Sequence, residues 1–232
     1  MNFERDLILS ANKKSWKMSS THGTVFDKNY KDSKGNPGKL QETWDNVWKR
    51  DNYRCYYCGF ESKKFQEIHH LNDDHEDNSS DNLVTVCSLC HQNFHLDVAS
   101  MTNGGKIIWL PEFSQQELNY LSRMMFVAID EAEKREEKGE DVPNFAKIVK
   151  MIDNSLMERS LIVEQHFQVG SSDPAIFANA LINMDDKLYD NRINFIKSFK
   201  LLNSRSRFPI QTKYWKENVL KELPIDSWEK LI

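Results

Sequence analysis

RCYYCGFESKKFQEIHHLNDDHEDNSSDNLVTVCSLCHQNFH spans Arg54 to His95 and holds all four cysteines and five of the seven histidines. Cys55 and Cys58 form one CxxC knuckle, and Cys87 and Cys90 form a second. A two-residue spacer lets both sulfurs of a knuckle point at one ion, so two such pairs make a closed tetrahedral zinc site. Between the knuckles, residues 65–71 have strand character, Asn72 to Asn82 is a polar loop, Leu83 to Val86 is a second strand, and Cys90 to Val98 reads as a helix.

Working outward, Leu7 to Leu9 and Ser15 to Met18 read as short strands, with Trp16 in the core. Gly35, Asn36, Pro37 and Gly38 mark an exposed loop, and Leu40, Trp44, Val47 and Trp48 fall at helical spacing. Residues 1–38 are therefore an N-terminal strand-and-loop segment, 39–103 a zinc-binding module, and 104–232 a helical region. In that last region Lys106 to Leu110 reads as a strand. Ser114 with Glu117 makes a capping box for a helix running to about Glu137, with Leu118, Leu121, Met125, Ile129 and Ala132 on one face. A second helix covers about Asn144 to Val169, with Phe145, Ile148, Ile152, Leu156 and Ile162 inward. Asp173 and Pro174 open a third. A fourth is expected over Asp186 to Leu202, with Leu188, Ile193, Ile196 and Phe199 inward, and a last short one near Lys213 to Leu223.

At 39% hydrophobic and 28% charged residues, the composition is that of a globular protein. A net charge of -4 gives no bulk attraction to nucleic acid or anionic membrane. Residues 61–100, with two Lys/Arg against eight Asp/Glu, are the most acidic part, and no Arg or Lys lies between Lys64 and Lys106. The start MNFERDLILSANKK is not a signal peptide, and paired knuckles without an export signal fit a reducing, cytoplasmic setting.

His69 and His70 are neighbours on a strand, so one can ligate a metal while the other points away to deprotonate a water. His91 and His95, four apart, lie on one face of a helix and could complete a three-histidine site with His69. Such a site leaves positions open for water and a phosphate oxygen. Asn82 is placed to fix the backbone or the base histidine. His75 has no assigned place and reads as surface.

CYYCG, EIHHL, DNLVTVCSLCH and His95, in that order, resemble the HNH endonuclease superfamily. The resemblance implies metal ligands at His69, His91 and His95, a general base at His70, a central asparagine at Asn82, and a structural zinc on Cys55, Cys58, Cys87 and Cys90. Strand, loop, strand and helix make a ββα unit that with the preceding knuckle gives an HNH-like treble-clef zinc module, and the expected class is α+β, this module followed by the mainly α-helical C-terminal half.

Over a longer reach, RDLILSANKKSWKM, RDNYRCYYCGF, NLVTVCSLC, IIWLPE, SLMERSLIVEQHF, SSDPAIFANALI and LLNSRSRF occur in order across most of residues 5–208. Together they resemble the IcmJ/DotN family of the Dot/Icm type IVB secretion apparatus. That resemblance implies a cytoplasmic scaffold held at the inner membrane through its partners. It would bind the C-terminal tail of the coupling ATPase DotL and help recruit effector proteins, with zinc in a structural role. Two functions are thus expected in competition. One is a zinc-stapled adaptor subunit of the coupling complex. The other is an active HNH endonuclease that binds nucleic acid and carries a second divalent metal on its histidines.

Overall fold

Beta-branched residues at Ile68, Val84, Thr85 and Val86 favour extended backbone, and the polar loop between the two runs lets them turn back on each other. The computed structural model of the chain describes residues 6–11, 37–222 and 227–228. In it β1 (Gln66–His70) pairs antiparallel with β2 (Leu83–Cys87), setting His69 opposite Val84 and His70 opposite Leu83. A preceding helix, α1 (Pro37–Arg50), packs on both strands. At its end Arg50 donates to the carbonyls of Ser80 and Leu83, each at 2.7 Å, and Asp51 accepts from the Thr85 amide at 2.8 Å. These contacts tie the helix to the far end of the loop.

The helix expected over Cys90 to Val98 is broken in two. After α2 (Ser88–His91) comes a 3₁₀ turn over Gln92–Phe94, and α3 (Leu96–Met101) starts only after His95 at φ -130°, ψ 59°. The N-terminal segment accounts for the break. The Ser10 amide donates to the Asn93 carbonyl at 2.9 Å and Ala11 bridges to His95, so these backbone groups pair across the chain instead of along a helix.

A second two-stranded antiparallel sheet joins β3 (Gly105–Trp109) to β4 (Phe199–Asn203). Gly105 is required there, because a Cβ would sit 2.3 Å from the Leu202 carbonyl oxygen. This sheet corrects the single helix expected over residues 186–202. The observed elements are α7 (Asp186–Asp190), α8 (Ile193–Ile196) and then β4. Pairing with β3 buries Lys200, Leu201, Leu202 and Asn203 in succession, a burial no helical face could give, and it overrides the helical spacing of the apolar residues.

Between the two strands of that sheet, the chain forms α4 (Gln115–Lys138), α5 (Asn144–His166) and α6 (Pro174–Ile182). The Ser114–Glu117 capping box is present, and Gly139 closes α4 in the left-handed region at φ 70°. Asp173 caps α6 through the Ala175 amide, with Pro174 at its first position. Leu118, Met125, Ile129 and Ala132 are buried as their spacing predicts. On α5, Phe145 and Leu156 are inside, but Ile148 and Ile152 face out, as does Leu188 on α7. The chain continues through α9 (Pro209–Tyr214) into a π-helical turn over Trp215–Val219, starting ahead of the expected Lys213. The readings at Ser15 to Met18, Trp16 and the Gly35–Asn36 loop fall outside the described residues.

Mixed helix and strand is thus the observed class. One apolar cluster runs from Cys55, Cys58, Cys87 and Cys90 through Phe126, Phe145, Phe208 and Trp215 to Trp228, joining the knuckles to α4, α5 and the C-terminal helix. No helix among the described residues is long and apolar enough to cross a membrane.

Candidate metal centre

The first knuckle turns tightly because Gly59 takes φ 69°, letting its amide donate to the Cys55 carbonyl at 2.9 Å while the Cys55 amide donates to Phe60 at 2.9 Å. The second knuckle sits where β2 passes into α2. Together they bring four buried sulfurs within 4.8 Å of one another, with Cys58 and Cys87 Sγ 3.7 Å apart. A tetrahedral ion with Zn–S bonds of about 2.3 Å would separate its sulfurs by about 3.8 Å, so the set fits zinc. Hydrogen bonds among the thiols, first from Cys55, hold Cys58 well below the usual thiol range, and the charge of Arg123 acts in the same direction. Burial pushes Cys55 and Cys90 well up. A divalent cation at the centre would favour four thiolates together. The cage has no open side and suits a structural ion.

Two donors reach the sulfurs from α4. Asn119 Nδ2 donates to Cys90 Sγ at 3.3 Å, and Arg123 Nη2 donates to Cys87 Sγ at 3.2 Å, with Cys58 Sγ at 4.0 Å. Arg123 is 1% exposed, and its guanidinium lies 3.6 Å from the Phe60 ring centre and 5.3 Å from that of Trp215. Burial works against its charge, and the surrounding thiols outweigh that cost. Neither Asn119 nor Arg123 stood out in the sequence. The available signal was a row of polar residues four apart, Gln115, Asn119 and Arg123, beside the apolar face of the same helix.

Of the predicted ligand trio, His91 and His95 approach each other but His69 does not join them: among the described residues the cysteines are the ligand set whose atoms lie within 4.8 Å of one another. His69 is buried, stacked on Phe94 with ring centres 4.1 Å apart and 5.6 Å from the His91 ring, and burial holds it well below the usual imidazole range. His91 Nδ1 meets Glu67 Oε2 at 2.5 Å, and its Nε2 lies 3.3 Å from His95 Nε2. Two ligands of a tetrahedral ion with bonds of about 2.0–2.1 Å would be about 3.3–3.4 Å apart. Glu67, which the sequence reading passed over, is placed as the carboxylate that orients a ligating imidazole.

His70 lies on the opposite face of β1 from His69, as alternation requires, with Nε2 3.2 Å from Asn78 Oδ1. Burial lowers its pKa, and the Asn78 contact opposes that. Asn82 accepts from the Asn72 amide at 3.0 Å and donates to the Asp77 carbonyl at 2.8 Å, so it closes the acidic loop on itself. His75 corrects the surface reading. It is half-buried, with its ring 5.1 Å from that of His70 and 6.2 Å from that of His95.

No protein-family model matches the chain. Among curated proteins it is similar to the type 4 apparatus protein DotN of Legionella pneumophila, with 34% identity over 179 residues that cover 76% of this chain and 79% of that protein. At 179 residues the match is far longer than the cysteine module. On that similarity, the chain belongs to the IcmJ/DotN family.

Proposed function

We propose that this protein is a zinc-stapled adaptor subunit of a type IVB secretion coupling complex, one that binds the C-terminal tail of the coupling ATPase at the cytoplasmic face of the inner membrane and helps recruit effectors. The observation that carries this reading is similarity along three quarters of both chains to a type 4 apparatus protein. The closed cysteine cage agrees with it, because a subunit of this kind needs a rigid shape and no turnover. Helix α5 also leaves Ile148, Met151 and Leu161 more than half exposed, an apolar strip suited to contact with another chain. Co-purification of the full chain with the ATPase tail tests the reading. Retention is expected, and failure to bind with both proteins folded would remove it.

A second reading, an HNH endonuclease, is favoured by one geometric fact. His91 and His95 present their Nε2 atoms at the spacing of two ligands of one ion, with Glu67 behind His91. In that reading His69, His91 and His95 hold a divalent metal, His70 is the general base and Asn82 keeps the loop in place. The acidic loop argues against it, because Asp73, Asp74, Glu76, Asp77 and Asp81 would repel a phosphate backbone. Arg50, the basic residue that reaches this loop, is occupied by Asp51 and the Ser80 and Leu83 carbonyls. Plasmid nicking with added Mg²⁺, Mn²⁺ or Zn²⁺, lost in His70→Ala, would establish it. No nicking by the wild type with any of the three would dispose of it.

A further inference from the structure

Arg123 is a fully buried cation whose Nε and Nη1 have no hydrogen-bond partner among the described residues. Its polar contacts are the sulfurs of Cys87 and Cys58, and its flat faces meet aromatic rings from the knuckle and from the C-terminal helix. A lone buried charge is costly unless an opposite charge compensates it. Four thiolates around a zinc ion carry a net charge of two minus, which is the compensation this position lacks otherwise. One helical turn earlier, Asn119 donates to the sulfur of Cys90 and accepts from Asn203 Nδ2 at 2.9 Å and Gln115 Nε2 at 2.9 Å. Gln115 in turn pairs with both backbone groups of Leu201 on β4. A continuous polar chain therefore runs from the sulfurs through α4 to the second sheet.

We propose that Arg123 and Asn119 make zinc binding and the seating of the helical half a single event, with Arg123 as the internal counter-charge of the zinc–tetrathiolate cage and Asn119 as its link to β4. Zinc would then set the shape of the half that carries the exposed α5 strip, in addition to stapling the knuckles. The proposal rests on the cysteines binding zinc. Metal content of the wild type separates the two claims, since a zinc-free wild type overturns both and a zinc-loaded one leaves this claim to the variants.

The test uses the full chain and the variants Arg123→Met and Arg123→Lys. Zinc affinity is read by competition with a chromophoric chelator, and the sulfur-to-metal charge-transfer band is read after cobalt substitution. Arg123→Met should weaken zinc about 10–100-fold, the usual effect of losing a group that supports metal ligands. It should also shift the cobalt band, and Arg123→Lys should restore part of both. A folded Arg123→Met protein with wild-type affinity, or with weakened affinity and an unmoved band, overturns the proposal, because packing alone would explain it. Should Arg123→Met fail to fold, hydrogen exchange on the wild type decides. Chelation of zinc is then expected to expose amides of α4 near residues 119–129 and of the segment 209–219, and continued protection there overturns the proposal.

Discussion

Two sets of potential metal ligands lie in and around the β1–β2 hairpin, and their surroundings differ in kind. The cysteines are enclosed on every side, reached by donors from α4, and continuous with the largest apolar cluster. The histidines open toward a polar loop, take their support from Glu67 and Asn78 within the same module, and are half-buried apart from His69. The difference teaches that proximity of ligands is a poor guide to what a site is for. A site wired into the core serves shape, whereas a site supported from its own module can be lost without disturbing the rest.

Substitutions can break that contrast. Cys58→Ala should cause the largest loss, on the order of 10 kcal/mol, because structural zinc binding is folding free energy. Melting temperature and zinc content check it, and a variant that kept both would erase the distinction between the two sites. Gln115→Ala should come next at about 2–3 kcal/mol, since it strands the buried amide and carbonyl of Leu201 far from any solvent. Denaturant unfolding followed by circular dichroism would measure it, and a change near zero would show that the polar chain behind the cysteines is slack.

His95→Ala sharpens the comparison from the other side. If the histidines hold a second divalent ion, as the nuclease reading requires, this substitution should abolish that binding, seen by titration calorimetry with Mn²⁺, while costing less than about 1 kcal/mol of stability. A large loss of stability would mean the histidines are structural too. An effect of a different kind, a dependence on pH, is expected away from both sites, at Lys200. Burial lowers its pKa to about 8 from 10.5. Below pH 8 both folded and unfolded chains hold the proton and the folded state carries the full cost of burying it. Between pH 8 and 10.5 the unfolded chain binds more protons, so stability should rise with pH. Lys200→Met should flatten that rise in melting curves taken across the interval, and an unchanged slope would disprove the assignment.

How much of this was legible in the residues depended on the range of the interactions. Knuckle spacing, the Ser114–Glu117 box and the Asp173–Pro174 start are local signals, and each appears where expected. The misses are long-range. Residues 199–203 carry a helical apolar spacing, yet they extend because β3 needs a partner. His95 leaves the helix because Ala11, more than eighty residues earlier, pairs with it. Arg123 read as an ordinary helix residue, since nothing local shows which sulfurs it will meet. The approach of His91 to His95 follows from their spacing, but Glu67 beside His91 and the place of His75 depended on how the loop folds back.

The β3–β4 pairing has a consequence for synthesis. Trp109 and Phe199 stand 90 positions apart (199 minus 109), so the edge of β3 leaves the ribosome long before its partner exists. At about 5–20 residues per second, that edge waits roughly 5–20 s. Until then the apolar residues Ile107 and Ile108 and the inner face of α4 lack the cover that Leu201 and Leu202 supply, and the emerging chain offers an unpaired strand edge to whatever is nearby. The last quarter of the protein is therefore the part whose arrival ends the vulnerable period, and a ribosome stalled before Asn203 would release a chain primed to aggregate.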